Sequence, residues 1–131
     1  MPEADAQAYW SGRMQAPQHD GEFLTSDQMA RRLGLKTRQS VLDRMRAGRL
    51  VGWQGERRGY VFPAEQVASG SRLTQGLEQI RERFDTGEAA WWWLTTPCPG
   101  LNGKRPMDCL RQGQVDDVVF ALEGYLQGTF G

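Results

Sequence analysis

The stretch from Ala90 onward limits what this chain can fold into more than any other. It reads Ala90-Trp91-Trp92-Trp93-Leu94, then a Pro-rich turn from Thr95 to Pro106, then Met107 to Gly113 and an apolar-periodic stretch to Gly128. Proline fixes φ and glycine permits positive φ, so Pro97, Pro99, Gly103 and Pro106 predict a rigid turn that holds Asn102-Gly103-Lys104-Arg105 in one shape. Successive helical residues lie about 100° apart, so three consecutive tryptophans cannot all enter one small core. Two readings stay open. An exposed tryptophan marks a binding surface, or two tryptophans are core and the third caps a seam between domains. The segment holds no set of groups able to do chemistry and reads as a docking module.

The rest of the chain gives no catalytic constellation either. The only histidine, His19, lies in a polar leader, far from Cys98 and Cys109, the only cysteines. No Ser/His/Asp or Cys/His arrangement, phosphate-cradling glycine loop or metal-ligand spacing is present. The chain is expected not to be an enzyme and to need no metal or cofactor, with both thiols reduced and buried or half-buried. The start, Met1-Pro2-Glu3-Ala4-Asp5, is acidic and lacks a signal-peptide layout, and no apolar run reaches the roughly eighteen residues of a membrane helix. The expected location is the cytoplasm, with no membrane partner. At 131 residues the chain suits one compact domain or two very small ones.

The net charge is zero, but residues 22–62 hold nine Lys/Arg against four Asp/Glu, and residues 63–131 hold six against nine. A basic middle and an acidic C-terminal part imply partners of opposite character.

Residues 1–21 read as a mobile leader in which Tyr9-Trp10 either docks on the body of the protein or on a partner subunit, or stays disordered. A helix follows over residues 24–34. Thr25 with Gln28 meets the capping-box pattern, Asp27 suits the first turn, and Gly34 supplies a left-handed stop. Thr37 caps a second helix whose apolar stripe is Val41, Leu42 and Met45, with Gly48 as its stop. Packed through Met29, Leu33, Val41 and Met45, the pair predicts a helix-turn-helix. Two β-prone runs, Leu50–Trp53 and Tyr60–Pro63, flank a Gly-containing loop and predict a hairpin placed as a wing. Pro63 to Val67 reads as the first turn of another helix. Ser69-Gly70-Ser71 is the most linker-like triplet, and we place a domain boundary there. Beyond it, helical spacing runs from Leu73 to Phe84, a short aromatic helix from Glu88 to Leu94, and a final helix from Gln114 to Gln127. That last helix carries Asp116 and Asp117 in its first turn and Val115, Val118, Val119, Leu122, Tyr125 and Leu126 as its stripe.

The second helix opens with Lys36-Thr37-Arg38-Gln39-Ser40, and its solvent side carries Gln39, Ser40, Asp43 and Arg46. The first residues of a recognition helix meet base edges, Arg pairing with guanine and Gln with adenine. Arg57 and Arg58 at the wing tip suit a minor groove or phosphate, and Arg31, Arg32, Arg44 and Arg49 add positive field. The candidate contacts to double-stranded operator DNA are Lys36, Thr37, Arg38, Gln39, Ser40, Arg44, Arg46, Arg57 and Arg58. Asp43 opposes this reading unless it pairs with Arg46 or accepts from cytosine. The competing reading is a small helical domain that merely displays arginines or meets protein. One such module buries little surface, so specific binding calls for a homodimer or higher oligomer on a repeated operator.

Residues 23–67 resemble the small winged helix-turn-helix of excisionases and MerR-type regulators, on Leu24-Thr25, Ala30, Leu33-Gly34, Val41, Gly48-Arg49-Leu50 and Tyr60-Val61-Phe62-Pro63. Residues 74–131 resemble the C-terminal toxin-binding domain of the Xre/MbcA/ParS-like antitoxins. The matching series is Trp93-Leu94, Pro97, Pro99, Leu101, Gly103, Pro106, Leu110, Gly113, Val119 and Gly128. The second resemblance implies the antitoxin of a type II toxin-antitoxin pair. It would neutralise a RES-type, NAD-consuming toxin by covering its active-site entrance, and repress its own operon. The toxin contacts this implies are Trp92, Trp93, Asn102, Lys104, Arg105 and Phe130, the last in the tail Gly128-Thr129-Phe130-Gly131. Many members of that family carry a longer, all-helical front domain, from which this chain departs. The expected fold is thus mainly α with a small β-hairpin: a winged helix-turn-helix at 22–70 and a small helical toxin-binding domain at 71–131. The alternatives are a stand-alone transcriptional regulator, whose C-terminal domain dimerises or meets another protein, and a pure adaptor.

Overall fold

In the computed structural model, residues 21–56 and 59–128 are described. The leader read at 1–21 therefore lies, but for Gly21, outside the described residues, as do Arg57, Arg58 and Phe130.

Local sequence sets the first two helices. Thr25 Oγ1 accepts from Gln28 N at 3.1 Å and Gln28 Oε1 accepts from Thr25 N at 2.8 Å, so two orphan amides at the start of α1 (Ser26–Leu33) are satisfied reciprocally. Gly34 ends α1 at φ 72°, a left-handed conformation that a side chain would disfavour. The chain turns through Leu35 and Lys36 into α2 (Arg38–Arg46), capped by Thr37 through a 3.2 Å bond from Ser40 N. Met29, Ala30 and Val41 are buried between the helices, with Leu33, Leu42 and Met45 packed alongside.

Leu24, Leu50 and Phe62 complete this first core and bring in a three-stranded antiparallel sheet. Its strands are β1 (Phe23–Leu24), β2 (Trp53–Gln54) and β3 (Tyr60–Pro63), with β3 central. The register pairs Leu24 with Phe62 and Trp53 with Val61. A hairpin is present as β2–β3, but its first strand is displaced: of Leu50–Trp53 only Trp53 is strand, while Leu50 and Val51 are buried in the cores before it. Leu24, read as helical, belongs instead to an edge strand fixed by its pairing with β3.

Two further expectations are corrected. Pro63 to Val67 does not open an α-helix: Ala64–Gln66 makes one 3₁₀ turn and leads into β4 (Val67–Ala68). Ser69-Gly70-Ser71 is no linker but the turn of a second hairpin, in which β4 pairs with β5 (Arg72–Leu73). The helical pattern from Leu73 to Phe84 shrinks to α3 (Leu77–Arg81) for the same reason. Leu73 is held in the hairpin, and Thr74 donates to Gln66 O through its N at 2.8 Å and its Oγ1 at 2.9 Å.

The second core is helical. α4 (Gly87–Leu94), α5 (Pro106–Arg111) and α6 (Val115–Leu126) follow α3, so the described residues hold six α-helices and a small antiparallel β part. Leu77 and Ile80 of α3, Trp91, Trp93 and Leu94 of α4, and Val118, Ala121 and Leu122 of α6 are buried together. Cys98 and Cys109 are free thiols in this core, and burial pushes the Cys109 thiol up from its ordinary value. Val51, from the first half of the chain, is fully buried in the second core, whereas Leu73 packs on the first. Among the described residues no helix is long and apolar enough to cross a membrane.

Candidate nucleic-acid interface and docking surface

On α2 and the turn before it, Lys36, Arg38, Gln39, Arg44 and Arg46 are exposed. No acidic residue occupies the first turn of α2. Thr37 and Ser40 are partly committed to each other, their hydroxyls 3.2 Å apart at the helix start. Asp43 is not left alone on this face. Gln39 Nε2 donates to Asp43 Oδ1 at 2.9 Å, and Arg46 Nη1 stands 4.0 Å from the same oxygen. The pairing expected with Arg46 is thus the looser of the two. Arg31 and Arg32 at the end of α1, and Arg49 after α2, are exposed as well. Arg32 approaches Glu22 at 3.9 Å. At the end of β2, Gly55 N donates to Gly59 O at 3.0 Å.

In the second half the tryptophans divide as helical geometry requires. Trp92 is 41% exposed, whereas Trp91 and Trp93 are each 3% exposed. Trp93, expected to meet a toxin, is core. Its ring lies 6.2 Å from that of Phe84 and 6.0 Å from that of Tyr125, because this edge of α4 faces α6. The Pro-rich turn is closed by bonds from Cys98 N to Lys104 O at 3.0 Å and from Gly103 N to Cys98 O at 2.9 Å. Asn102 at φ 59° and Gly103 at φ 80° make its tip, and Asn102 and Lys104 face solvent.

Arg105, also expected to face a toxin, turns inward. Its Nε donates to Asp108 Oδ2 at 3.0 Å and its Nη2 to Asp108 Oδ1 at 2.8 Å, and it pairs with Glu65. Arg111 Nη2 lies 3.3 Å from the same Glu65 carboxylate. The hydrogen bonds from Arg105 hold the Asp108 carboxyl below its ordinary value, and donating to Asp108 and then to Glu65 raises the guanidinium against the opposing effect of burial. Glu65 belongs to the front of the chain, so this cluster joins the two halves. The sequence carries no local sign of it.

Phe120 escaped the sequence reading. It is 72% exposed on α6, opposite the apolar stripe and beside Asp116, Asp117 and Glu123. An aromatic on the polar side of an otherwise clean amphipathic pattern was the available signal. Tyr125 and Leu126, read as stripe, are each 40% exposed.

No family model and no curated protein matches the chain. Among solved structures, the NMR structure of Rv2175c is similar, with a TM-score of 0.69 over 86% of this chain and 86% of that one, at 21% identity. At that identity the likeness establishes the fold alone. Of the residues that carried the resemblance to antitoxins, Trp93, Leu94, Leu101, Pro106 and Leu110 are buried, whereas Pro97, Pro99, Gly103, Gly113 and Gly128 are exposed.

Proposed function

We propose that this protein is a sequence-specific DNA-binding transcriptional regulator that uses a winged helix-turn-helix. In this reading α1 and α2 form the helix-turn-helix, α2 enters the major groove, and the β2–β3 hairpin is the wing. The observation that carries it is the α2 face. A first turn free of acid presents Arg38 and Gln39 to solvent, flanked by the exposed cations Lys36, Arg44 and Arg46. Phosphate neutralisation by such cations supplies affinity, and the base-edge donors of Arg38 and Gln39 supply selectivity. A dimer or higher oligomer on a repeated site fits the small footprint of one module.

The test is the double variant Arg38→Ala/Gln39→Ala on the DNA upstream of the protein's own gene. Both side chains are exposed, so the melting temperature stays within about 2 °C of the parent. Retardation of the operator fragment is expected to fall by roughly tenfold to a hundredfold or more, two base contacts being lost. Unchanged retardation rules out α2 as the reading helix.

A second reading adds toxin neutralisation, in line with the antitoxin resemblance. It is favoured by the exposure of Trp92 and Phe120 and by the stiff loop presenting Asn102 and Lys104, since pre-ordered loops lower the cost of docking. A fragment of residues 71–131 would lack Val51, so the test uses the full chain. Co-expressed with a RES-type protein encoded beside it, Trp92→Ala should lose growth rescue while Arg38→Ala/Gln39→Ala retains it. Full rescue by Trp92→Ala removes this reading and leaves the stand-alone regulator.

A further inference from the structure

Asp43 is the one side chain on the α2 face whose charge works against a polyanion. At about 100° per residue, Gln39, Asp43 and Arg46 fall within about 60° of one another and roughly 140–200° round from the buried Val41. They form the middle of the solvent stripe, where a helix in the major groove meets base edges rather than the backbone. A fixed carboxylate there opposes the phosphate field that drives non-specific binding. Its neighbours do not cancel it. Gln39 is neutral, and Arg46 at 4.0 Å is beyond hydrogen-bond range. Both stand against Oδ1, and Oδ2 takes no hydrogen bond among the described residues. The side chain is 66% exposed, so nothing in the fold requires its charge.

An ionised carboxylate only accepts hydrogen bonds. In the major groove guanine presents acceptors at N7 and O6, thymine an acceptor at O4, and only cytosine N4 and adenine N6 offer donors. We infer that Asp43 is a further specificity-determining residue of α2, its Oδ2 accepting from an exocyclic amino group and rejecting guanine and thymine at that position. Cytosine is the expected base, because adenine sets its N7 acceptor beside the amino group. Gln39 holds the carboxylate in place through the 2.9 Å bond to Oδ1. This rests on the DNA-binding reading above.

The experiment is selection from a random duplex library with the full-length parent, Asp43→Ala and Asp43→Asn, at one salt concentration. The parent is expected to select a site with one position restricted to cytosine, or to adenine if N6 is the donor. With Asp43→Ala the preference at that position falls from about tenfold or more to none. Preferences elsewhere persist, and binding to random duplex tightens. Asp43→Asn keeps the size but adds a donor, and is expected to admit guanine or thymine there. If Asp43→Ala selects the parent's site with the parent's preferences, or loses preference at several positions at once, Asp43 is not a base reader and the inference falls while DNA binding stands. A parent that selects no sequence removes both.

Discussion

Gly87→Ala is expected to destabilise the protein by about 3 kcal/mol or more, which lowers the melting temperature by roughly 10 °C in a domain of this size. Helix propensity alone points the other way. Gly87 opens α4 with no left-handed φ to protect, and alanine is the better helix former by up to about 1 kcal/mol. The contact decides. A Cβ on Gly87 would lie 2.3 Å from the Gly52 carbonyl oxygen, 3.1 Å from its carbon and 3.3 Å from its nitrogen, all backbone atoms that cannot rotate aside. Gly52 cannot retreat either, because its own Cβ position is 2.5 Å from two ring carbons of the buried Phe62. α4 is thus pressed against the chain just ahead of β2, and a single methyl must part the two halves. Thermal or urea unfolding measures the sign directly. A variant as stable as the parent, or more so, would show that the helical half does not rest on Gly52.

The same contrast between local and distant causes separates what was legible in the sequence from what was not. Thr25 with Gln28, Gly34, Thr37 and the α6 stripe act within a few residues, and each could be read without knowing the fold. The basic face of α2 was legible for the same reason, since its cations are neighbours on one helix. β1 was not: two residues become a strand only because Phe62 and Pro63 lie across from them. The β4–β5 hairpin was read as a linker because Ser, Gly and Ser suit either. The inward turn of Arg105 depends on Glu65, 40 residues away. Periodicity required one tryptophan to face out, but which one depends on where α6 packs.

The largest loss after Gly87 is expected at Gln66, a polar side chain with 0% exposure. Its Oε1 accepts from Val51 N at 2.7 Å, and its Nε2 donates to Val51 O at 2.7 Å and Pro63 O at 3.0 Å. The amide pairs with Val51 as a neighbouring strand would, while Val51 fills the helical core and Gln66 stands at the end of the sheet half. Gln66→Leu has nearly the right size and gains apolar burial of about 2 kcal/mol. It also leaves the buried amide and the carbonyl of Val51 unpaired, each at about 1–3 kcal/mol. The net expectation is a loss of about 2 kcal/mol, and at most about 4 kcal/mol, a large share of the roughly 5–15 kcal/mol typical of a domain. Gln66→Glu separates hydrogen bonding from packing. It keeps the acceptor for Val51 N, loses the donors while ionised, and buries a charge, so its carboxyl pKa is raised in the fold. A raised folded value means that the acid form is favoured: stability is greatest below the unfolded value near 4.3 and falls as pH rises toward the folded one. Urea unfolding from about pH 4 to 8 should therefore show Gln66→Glu weakening with pH relative to the parent, and Gln66→Leu weak throughout. A leucine variant as stable as the parent would mean that packing alone, not this amide, holds Val51 between the two cores.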